Sequence, residues 1–506
     1  MRDIAGAMTS FGTDATDQIR IWVSPERVRV AMQAGGAVLA GATIGGLVAV
    51  GQWYAALGLI VGLILGLLGV LLLRRNRLAV ITLWLLVAPF VVETDSALLR
   101  KLFWLIHRGL PVAVLGVMVL GILVGDRRRS SRLGWPETLM GGYVLASLLS
   151  IFYTSDDPLA TAFLFYDRVF IPMCLYLIIR LVEPNESELR QLVPVGVFIL
   201  VTQSALGLLQ WIAPQLLPSA WLGLEGARTT GSLVHPNVLA TTLLFCGLLS
   251  LHSALSVSRP LSSRWGLMIL FLLAIVMAFL TFSRASWLAA SVVIGGLLFV
   301  YPRALRRLTL IAVSIVGLLL VAGFLSGIGN FAADRFESAS SEQSALSRLP
   351  VAVASVRMFA ERPLFGWGYE NFDKFDRQFQ TSVAGFYPDK DQTHHNLFLT
   401  LLAEQGLLGL SLYVGPTVWW LALTPSALAN MPRQGFLSRR LLIILWLIAA
   451  SFFIVNQFSN FRVTFGFGMW WVTLGLIGSL VDRYHPRRKQ LDDNPRQSAV
   501  GATASL

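Results

Sequence analysis

Runs of about 20 apolar residues recur along this chain from Ala31 almost to its end. Each run is long enough to cross a hydrocarbon layer roughly 30 Å thick as an α-helix. In lipid a backbone must satisfy its own hydrogen bonds, and a helix does so within one segment. Charged residues make up only 13% of the chain, against about 25% in soluble domains. The sequence therefore predicts an all-α polytopic membrane protein.

The lengths of the apolar runs, and the polar breaks between them, predict twelve to fourteen transmembrane helices. The fourteen candidate spans lie near 31–51, 53–73, 78–92, 103–124, 136–152, 169–182, 191–212, 237–256, 266–282, 285–301, 309–328, 394–422, 440–457 and 463–481. The predicted organisation is an N-terminal segment at 1–30, about eleven spans at 31–328, a long loop at 329–393, three spans at 394–482 and a tail at 483–506. Residues 1–30 lack an apolar stretch, so we expect no cleavable signal peptide.

The formal net charge of +12 would suit a nucleic-acid partner, but its distribution argues against one. The basic residues form short clusters between the apolar runs, which is the positive-inside pattern of membrane proteins. With a cytoplasmic N-terminus, every second connection falls inside and carries basic residues, among them those at 74–77, 127–132, 180–190, 259–264, 303–307 and 433–440. We therefore expect both termini in the cytoplasm, and a lipid bilayer rather than nucleic acid as partner.

One outer connection, at 329–393, is too long to be a passive link. Within it, residues 345–361 have helical apolar spacing, which Pro363 ends. The predicted apolar face consists of Leu346, Leu349, Val353, Val356 and Phe359. The glycines and aromatic residues of 363–372 then indicate a turn near the membrane interface.

Three arginines lie on the outer side, against the charge bias. Arg228 is in the connection 213–236, Arg284 is in a hinge between two apolar runs, and Arg168 precedes the span at 169–182. Arginine near hydrocarbon is costly without a partner, and its planar fork suits phosphate oxygens. These residues could instead reach lipid headgroups or pair with carboxylates such as Asp167 or Glu225. Taken together they favour an anionic ligand such as a diphosphate.

Two histidines, His394 and His395, stand where the chain re-enters the membrane. An imidazole can accept a proton from a hydroxyl near neutral pH. The alternative is structural, with Thr393 capping the helix and the histidines contacting headgroups. His235 and Asp391 could add metal ligands, but a cluster with metal-site spacing is lacking, and Cys174 and Cys246 lie in apolar runs. We expect no metal, and expect His235 to start a helix with Pro236 in its first turn.

These residues form an ordered set that resembles the O-antigen ligase and O-antigen polymerase superfamily of bacterial envelope glycosyltransferases. The motifs are Arg-x-x-Gly-x-x-x-His-Pro-Asn-x-Leu-Ala at 228–240, Ser-Arg-Ala-Ser at 283–286, Pro-Leu-Phe-Gly-Trp-Gly-x-x-Asn-Phe at 363–372, and His-Asn-x-x-Leu with Ala-Glu-Gln-Gly-Leu-Leu-Gly at 395–409. Each motif is weak alone, but their order over roughly residues 160–480 is fairly specific.

The resemblance implies a C-type glycosyltransferase-like membrane fold in the bacterial inner membrane, with a periplasmic site. It implies an undecaprenyl-diphosphate-linked glycan donor, no metal or other cofactor, and an inverting transfer to a sugar hydroxyl. Arg228 and Arg284 match the family's diphosphate-binding positions, and Arg168 matches less closely. His395 matches the essential histidine, with His394 as the adjacent candidate.

Several functions share these features. A ligase would use a lipid A–core acceptor, whereas an O-antigen or exopolysaccharide polymerase would use another lipid-linked glycan. A transporter or flippase of lipid-linked glycans would also need outer arginines, although transporters tend to place charges in broken helices related by repeats. A non-catalytic scaffold for envelope assembly is the third alternative.

Overall fold

The computed structural model describes residues 76, 78–90, 103–124, 133–218, 221–222, 228–233, 235–257, 260–302, 314, 318, 348–383, 396–458 and 464–486. Helices dominate these residues, and none of them forms a β-strand. We label the helices α1 Ala79–Val87, α2 Leu105–Leu123, α3 Trp135–Thr154, α4 Pro158–Val182, α5 Glu186–Ile212, α6 Pro236–Ser256, α7 Leu261–Leu280, α8 Arg284–Val300, α9 Arg348–Glu361, α10 Phe372–Phe379, α11 Leu397–Asn430, α12 Arg439–Asn456 and α13 Thr464–Tyr484.

Eight of these helices are long and apolar enough to cross a membrane. They are α2, α4, α5, α6, α7, α11, α12 and α13. Helix α8 is apolar but one residue short of that length, with 17 residues. The chain is therefore an all-α polytopic membrane protein, as the apolar runs predict. The predicted spans near 31–51 and 53–73 lie outside the described residues, as does all of 309–328 except residues 314 and 318.

Two helices form the centre of the bundle. The most apolar window of α13 is entirely buried, and that of α6 almost entirely. Helix α6 packs against α5, α7 and α12, whereas α13 packs against α4, α11 and α12. A helix that is apolar on all sides belongs inside a bundle, and α6 and α13 both have low amphipathicity. Helix α12 joins the two halves because it contacts both central helices.

Polar contacts between helix ends define two ends of the bundle. At one end Arg180 pairs with Asp482 at 3.4 Å, and Arg483 donates to the Pro184 carbonyl at 2.7 Å. The other end, which we call the site end, holds the start of α4, where Asp167 accepts a hydrogen bond from Thr464 at 2.9 Å. This grouping agrees with the predicted alternation of spans. Which end faces the cytoplasm stays a prediction.

The helix predicted within the long loop is present as α9, and it ends two residues before Pro363. The predicted packing face is wrong, because Leu349 and Val356 are exposed. The buried face carries Val351, Ala354 and Met358. This face packs against α11, whereas Leu349 and Val356 point away from the bundle.

Candidate functional site

Arg228 and Arg284 lie at the same end of the bundle. The residue after Arg228, Thr229, donates through its hydroxyl to the carbonyl of Leu280 at 2.8 Å. Leu280 is the last residue of α7, and Arg284 is the first residue of α8. Arg228 is half-buried and Arg284 is exposed. The fold therefore brings together two predicted ligand arginines that are 56 positions apart in the sequence.

Asn237 ties the start of α6 to the start of α8. Its carboxamide oxygen accepts a hydrogen bond from Ser283 and another from Ser286 at 3.1 Å. His235 is the N-cap of α6, with Nδ1 accepting from the Asn237 amide at 3.2 Å, and Pro236 follows in the first turn. The structural role predicted for His235 is confirmed. Two helix N-termini, each carrying a partial positive charge, thus meet beside the arginines.

Two glutamines of α5 hold the segment that follows Arg228. Gln210 Oε1 accepts from the amides of Thr230 at 2.8 Å and Gly231 at 3.0 Å. Gln203 Oε1 accepts from the Ser232 amide at 3.1 Å, and its Nε2 donates to the Ser232 hydroxyl at 2.7 Å. Gly231 has a φ of +57°, and a Cβ there would lie 2.4 Å from Gln203 Oε1. This packing explains the glycine three residues after Arg228 in the motif.

Aromatic side chains surround the hinge that carries Arg284. Trp211 stacks on Phe282 with ring centroids 5.6 Å apart. Trp287 Nε1 donates to the Phe279 carbonyl at 2.8 Å. Tryptophan is typical of the depth at which headgroups meet hydrocarbon. The two arginines therefore lie beside a cluster of aromatic side chains.

Helix α11 begins just after the two histidines predicted at 394–395. Asn396 is its N-cap, and the side-chain oxygen accepts from the amides of Phe398 and Leu399, both at 3.0 Å. Its Nδ2 donates to Gln457 at the end of α12, at 3.1 Å. The alternative in which Thr393 caps this helix is therefore wrong, because Asn396 supplies the cap. His394 and His395 lie outside the described residues, and His395 directly precedes Asn396.

Arg168 lies within α4, where residues 166–170 form a π-helical turn. The predicted connection before a span at 169–182 is wrong, since the helix is continuous from Pro158 to Val182. Arg168 Nη1 binds Glu370 Oε1 at 2.9 Å. The suggested partner Asp167 instead binds Arg108, with atoms 2.5 and 3.0 Å apart. Adjacent residues on a helix point in different directions, so Asp167 and Arg168 face different neighbours.

A small cavity of about 40 Å³ opens beside Arg168. Arg168 and Glu370 form one wall, and Leu397, Thr400 and Glu404 from the first turns of α11 form another. Three tyrosines, Tyr143, Tyr369 and Tyr413, complete most of the lining. Burial raises the pKa of Tyr369 well above its usual value, so this phenol stays neutral.

The segment 363–368 docks into a break in α11. Gly406 interrupts the helix with a φ of 63°. Around it the Trp367 amide donates to the Ala403 carbonyl at 3.0 Å, and the Gly368 amide donates to the Glu404 carbonyl at 2.7 Å. In return the Leu407 amide donates to the Pro363 carbonyl at 2.8 Å. The two glycine-containing motifs are therefore two sides of one backbone contact.

Further polar contacts fix this segment on α3. The Tyr369 amide donates to Ser150 at 3.1 Å, and Asn371 Nδ2 donates to the Thr154 carbonyl at 3.2 Å. The Phe372 amide donates to Glu404 Oε1 at 3.3 Å. This scaffold sets the position of Glu370, whose φ of 60° lies in the left-handed region.

Sequence reasoning missed Glu370 and Glu404 as site residues, although both stand inside motifs that it singled out. Neither sits in a recognisable carboxylate pattern, so only the fold places them beside Arg168. Arg108 was also missed, because its partner Asp167 is 59 residues away. Among the described residues, no group of three or more His, Cys, Asp or Glu side chains could hold a metal ion.

Comparison with known proteins gives one family and no close relative. Residues 269–414 match the family model described as O-Antigen ligase. This match includes Arg284, His394, His395, segment 363–372 and the break in α11, and it leaves out Arg168 and Arg228. No curated protein sequence matches the chain significantly. The match at residues 269–414 supports a relation of this multi-pass membrane protein to the O-antigen ligase and polymerase superfamily.

Proposed function

We propose that the protein transfers a glycan from an undecaprenyl-diphosphate-linked donor to a sugar hydroxyl on the periplasmic face of the inner membrane. One observation carries this proposal: Arg228 and Arg284 flank the joined N-termini of α6 and α8. An arginine pair at two helix N-termini is well suited to a diphosphate. The match to the O-antigen ligase family supports glycosyl transfer of the ligase or polymerase type as the reaction.

The arginine pair would act on the leaving group. In the reaction, the bond between the anomeric carbon and the diphosphate oxygen breaks, and its electron pair goes to the diphosphate. Two guanidinium groups held near the place where this charge develops would stabilise the transition state. Gln203 and Gln210 hold the backbone that follows Arg228, and Asn237 holds the serine that follows Arg284 by two residues.

His395 would act on the acceptor, with His394 as the adjacent candidate. The acceptor hydroxyl gives its proton to the imidazole, and its oxygen forms the new bond to the anomeric carbon with inversion. Asn396 supports this assignment, because its side chain caps α11 and binds Gln457. Leu397, the residue after Asn396, lines the cavity beside Arg168.

The long loop at 329–393 would shield the site from water. In its described part, segment 363–372 is anchored to both α3 and α11 beside the cavity. Excluding water would favour transfer to the sugar hydroxyl over hydrolysis of the donor. We place this loop and the site in the periplasm, and both chain termini in the cytoplasm, on the basis of the basic connections.

The identity of the acceptor distinguishes a ligase from a polymerase. A ligase would use lipid A–core, and a polymerase would use a second lipid-linked glycan. A glycan gel of a deletion strain distinguishes them: loss of all polymer from the core while lipid-linked polymer accumulates indicates a ligase. A single repeat left on the core indicates a polymerase.

Transfer by the isolated protein tests the proposal against a transporter or flippase of lipid-linked glycans. The full-length protein is purified, placed in liposomes without an ion gradient, and supplied with undecaprenyl-diphosphate glycan and membrane lipids extracted from the deletion strain. We expect a new glycoconjugate and released undecaprenyl diphosphate in equal amounts. Movement of the donor across the bilayer without any transfer would overturn the proposal in favour of transport.

A further inference from the structure

Four large apolar side chains lie exposed where segment 363–368 docks into the break in α11. Leu364 and Phe365 are 60% and 70% exposed, and Leu407 and Leu408 are 52% and 41% exposed. The Leu408 amide donates to the Leu364 carbonyl at 3.2 Å, so the loop pair and the helix pair are neighbours. We call these four residues the apolar tip. Apolar patches that a fold leaves exposed mark contacts with another protein or with a membrane.

The apolar tip continues the surface of a helix that is long and apolar enough to span a membrane. In the most apolar window of α11, only half of the residues are buried inside the bundle. Val418, three turns after Leu407 and on the same side of α11, is exposed as well. The neighbouring helix α3 exposes Leu145 and Leu149. Acyl chains cover such faces of a spanning helix, so the tip adjoins a surface in contact with lipid.

Helix α3 shows how far the tip lies from the site end of the bundle. Gln405, beside the break in α11, donates to the Ser147 hydroxyl at 2.8 Å. Ser147 stands seven residues before Thr154, the last residue of α3, which corresponds to about 10 Å along a helix. Segment 363–371 rises over this distance, because Asn371 donates to the Thr154 carbonyl at 3.2 Å. The tip therefore lies about 10 Å further into the bundle than the end of α3.

Exposed aromatic residues mark two interface levels on α3. Trp135 begins the helix and Tyr153 stands near its end, and both are exposed. They are 18 residues apart, or about 27 Å along a helix, close to the roughly 30 Å of a hydrocarbon layer. Tryptophan and tyrosine favour the interfaces, and the exposed residues Asp156 and Asp157 follow Tyr153. The tip, beside Ser147, falls on the hydrocarbon side of Tyr153.

Backbone pairing makes this depth tolerable. An unbroken α11 would join the two amides after the break to the two carbonyls before it. In the structure each of these four groups bonds to segment 363–368 instead, at 2.7–3.2 Å. The donors and acceptors are Leu407 to Pro363, Leu408 to Leu364, Trp367 to Ala403 and Gly368 to Glu404. Irregular backbone is found at membrane depth only where protein groups satisfy it in this way.

The charged residues just before the tip lie at the end of α9. Glu361 and Arg362 are both exposed. The Arg362 guanidinium lies 3.9 Å from the centre of the Trp367 ring, and the Trp367 amide bonds to Ala403, on the site-end side of the break. Arginine side chains are long enough to carry their charge from apolar surroundings to the headgroups. The contact with Trp367 holds this charge away from the tip.

We propose that the apolar tip is inserted into the membrane leaflet at the site end, where it contacts phospholipid acyl chains. Segment 363–368 is then a re-entrant turn below the interface, and it fastens the loop between α9 and α10 to the bilayer. The proposal does not depend on the glycan that is transferred, nor on the roles of Arg284 and His395. Its failure and the failure of the proposed function are therefore separate results.

Spin labels measure the depth of the tip directly. A single nitroxide-labelled cysteine is introduced by Phe365→Cys into full-length protein that carries Cys174→Ala and Cys246→Ala, in liposomes of phosphatidylethanolamine and phosphatidylglycerol. Molecular oxygen concentrates in hydrocarbon, whereas a nickel chelate stays in water. We expect the ratio of oxygen to nickel collisions at 365 to match that of Ile269→Cys, on an exposed position of α7. It should exceed severalfold the ratio of Gln378→Cys, on an exposed position of α10.

A second label and a single-copy measurement complete the test. Leu408→Cys should report the same depth as Phe365→Cys, and it replaces that variant if the latter does not fold. A nickel collision rate at both positions equal to that of Gln378→Cys would overturn the proposal, because the tip would lie in water. Spin–spin broadening in liposomes that disappears in nanodiscs holding one protein would overturn it as well, because a second copy would then cover the tip.

Discussion

Gly406 lies against the backbone of Leu364, so close that a Cβ on Gly406 would be 2.5 Å from the Leu364 carbonyl. Gly366 shows the reciprocal relation, because its Cβ would lie 2.5 Å from the Gln405 amide nitrogen. Both glycines also have a positive φ. The close approach lets the loop segment 363–368 pair with the broken helix α11, and this pairing shapes the cavity beside Arg168.

Gly406→Ala should therefore disturb both stability and transfer. The left-handed backbone alone costs an alanine roughly 1–3 kcal/mol, and the contact with Leu364 adds to that cost. We expect a lower melting temperature and a large loss of transfer in liposomes. Gly295→Ala is the matched control, because a Cβ there meets nothing within 4 Å in α8. Equal behaviour of the two variants would show that the docked segment does not support the site.

Asn237→Ala should uncouple the starts of α6 and α8. The change leaves Ser283 and Ser286 without their shared acceptor, at a cost of about 2 kcal/mol. Since these helices carry the arginine pair, we expect weaker donor binding as well as lower thermal stability.

A mutant cycle tests whether Asn237 links the two helices through its hydrogen bonds. Combining Asn237→Ala with Ser283→Ala and Ser286→Ala should cost less than the sum of the separate changes, because all three residues share one hydrogen-bond network. Asn430→Ala, at the exposed opposite end of the bundle, serves as control. Strict additivity would contradict the proposed link between the two helices.

The Arg168–Glu370 pair should behave as a coupled unit. Each side chain is largely buried, with 20% and 14% of its surface exposed. Replacing either residue by glutamine leaves the other charged side chain without its ion-pair partner. The change should lower the free energy of unfolding by roughly 1–3 kcal/mol. The double replacement should cost clearly less than the sum, as measured by thermal unfolding in detergent. Full additivity would show that the two side chains are not energetically coupled.

Chelation should leave the enzyme active. The proposed chemistry uses arginines and an imidazole, and it routes no step through a cation. We expect the transfer rate in liposomes to be unchanged after treatment with EDTA and dialysis into metal-free buffer. A loss that is restored by added Mg²⁺ or Mn²⁺ would contradict the metal-independent mechanism.

The sequence predicts the membrane class and much of the site because both depend on local patterns. Apolar length gives the spans, the Ser-Arg hinge gives the start of α8, and His235 with Pro236 gives the start of α6. A resemblance of motifs then supplies the reaction class. None of these inferences needs the distance between two remote residues.

The parts of the fold and of the site that the sequence does not predict depend on contacts between residues far apart in the chain. The periodicity of apolar residues carries no information about such contacts. Arg168 and Glu370 are 202 residues apart, and their pairing follows from the docking of segment 363–368. Helix α4 begins at Pro158 and continues through the π-helical turn at 166–170, so Arg168 sits inside a helix rather than before one. For α9 the helical spacing predicts a helix but not its orientation, because the face that packs on α11 carries Val351 and Met358 rather than Leu349 and Val356.

The central claim is that Arg284 and His395 carry glycosyl transfer, and the liposome assay tests it most directly. Arg284→Ala and His395→Ala are compared with wild type and with Arg190→Ala, a control for an arginine at the opposite end of the bundle. All four proteins must be equally abundant and monodisperse. The account predicts that the two site variants lose transfer by about 100-fold or more, while Arg190→Ala keeps it. Normal transfer by either site variant would contradict the account.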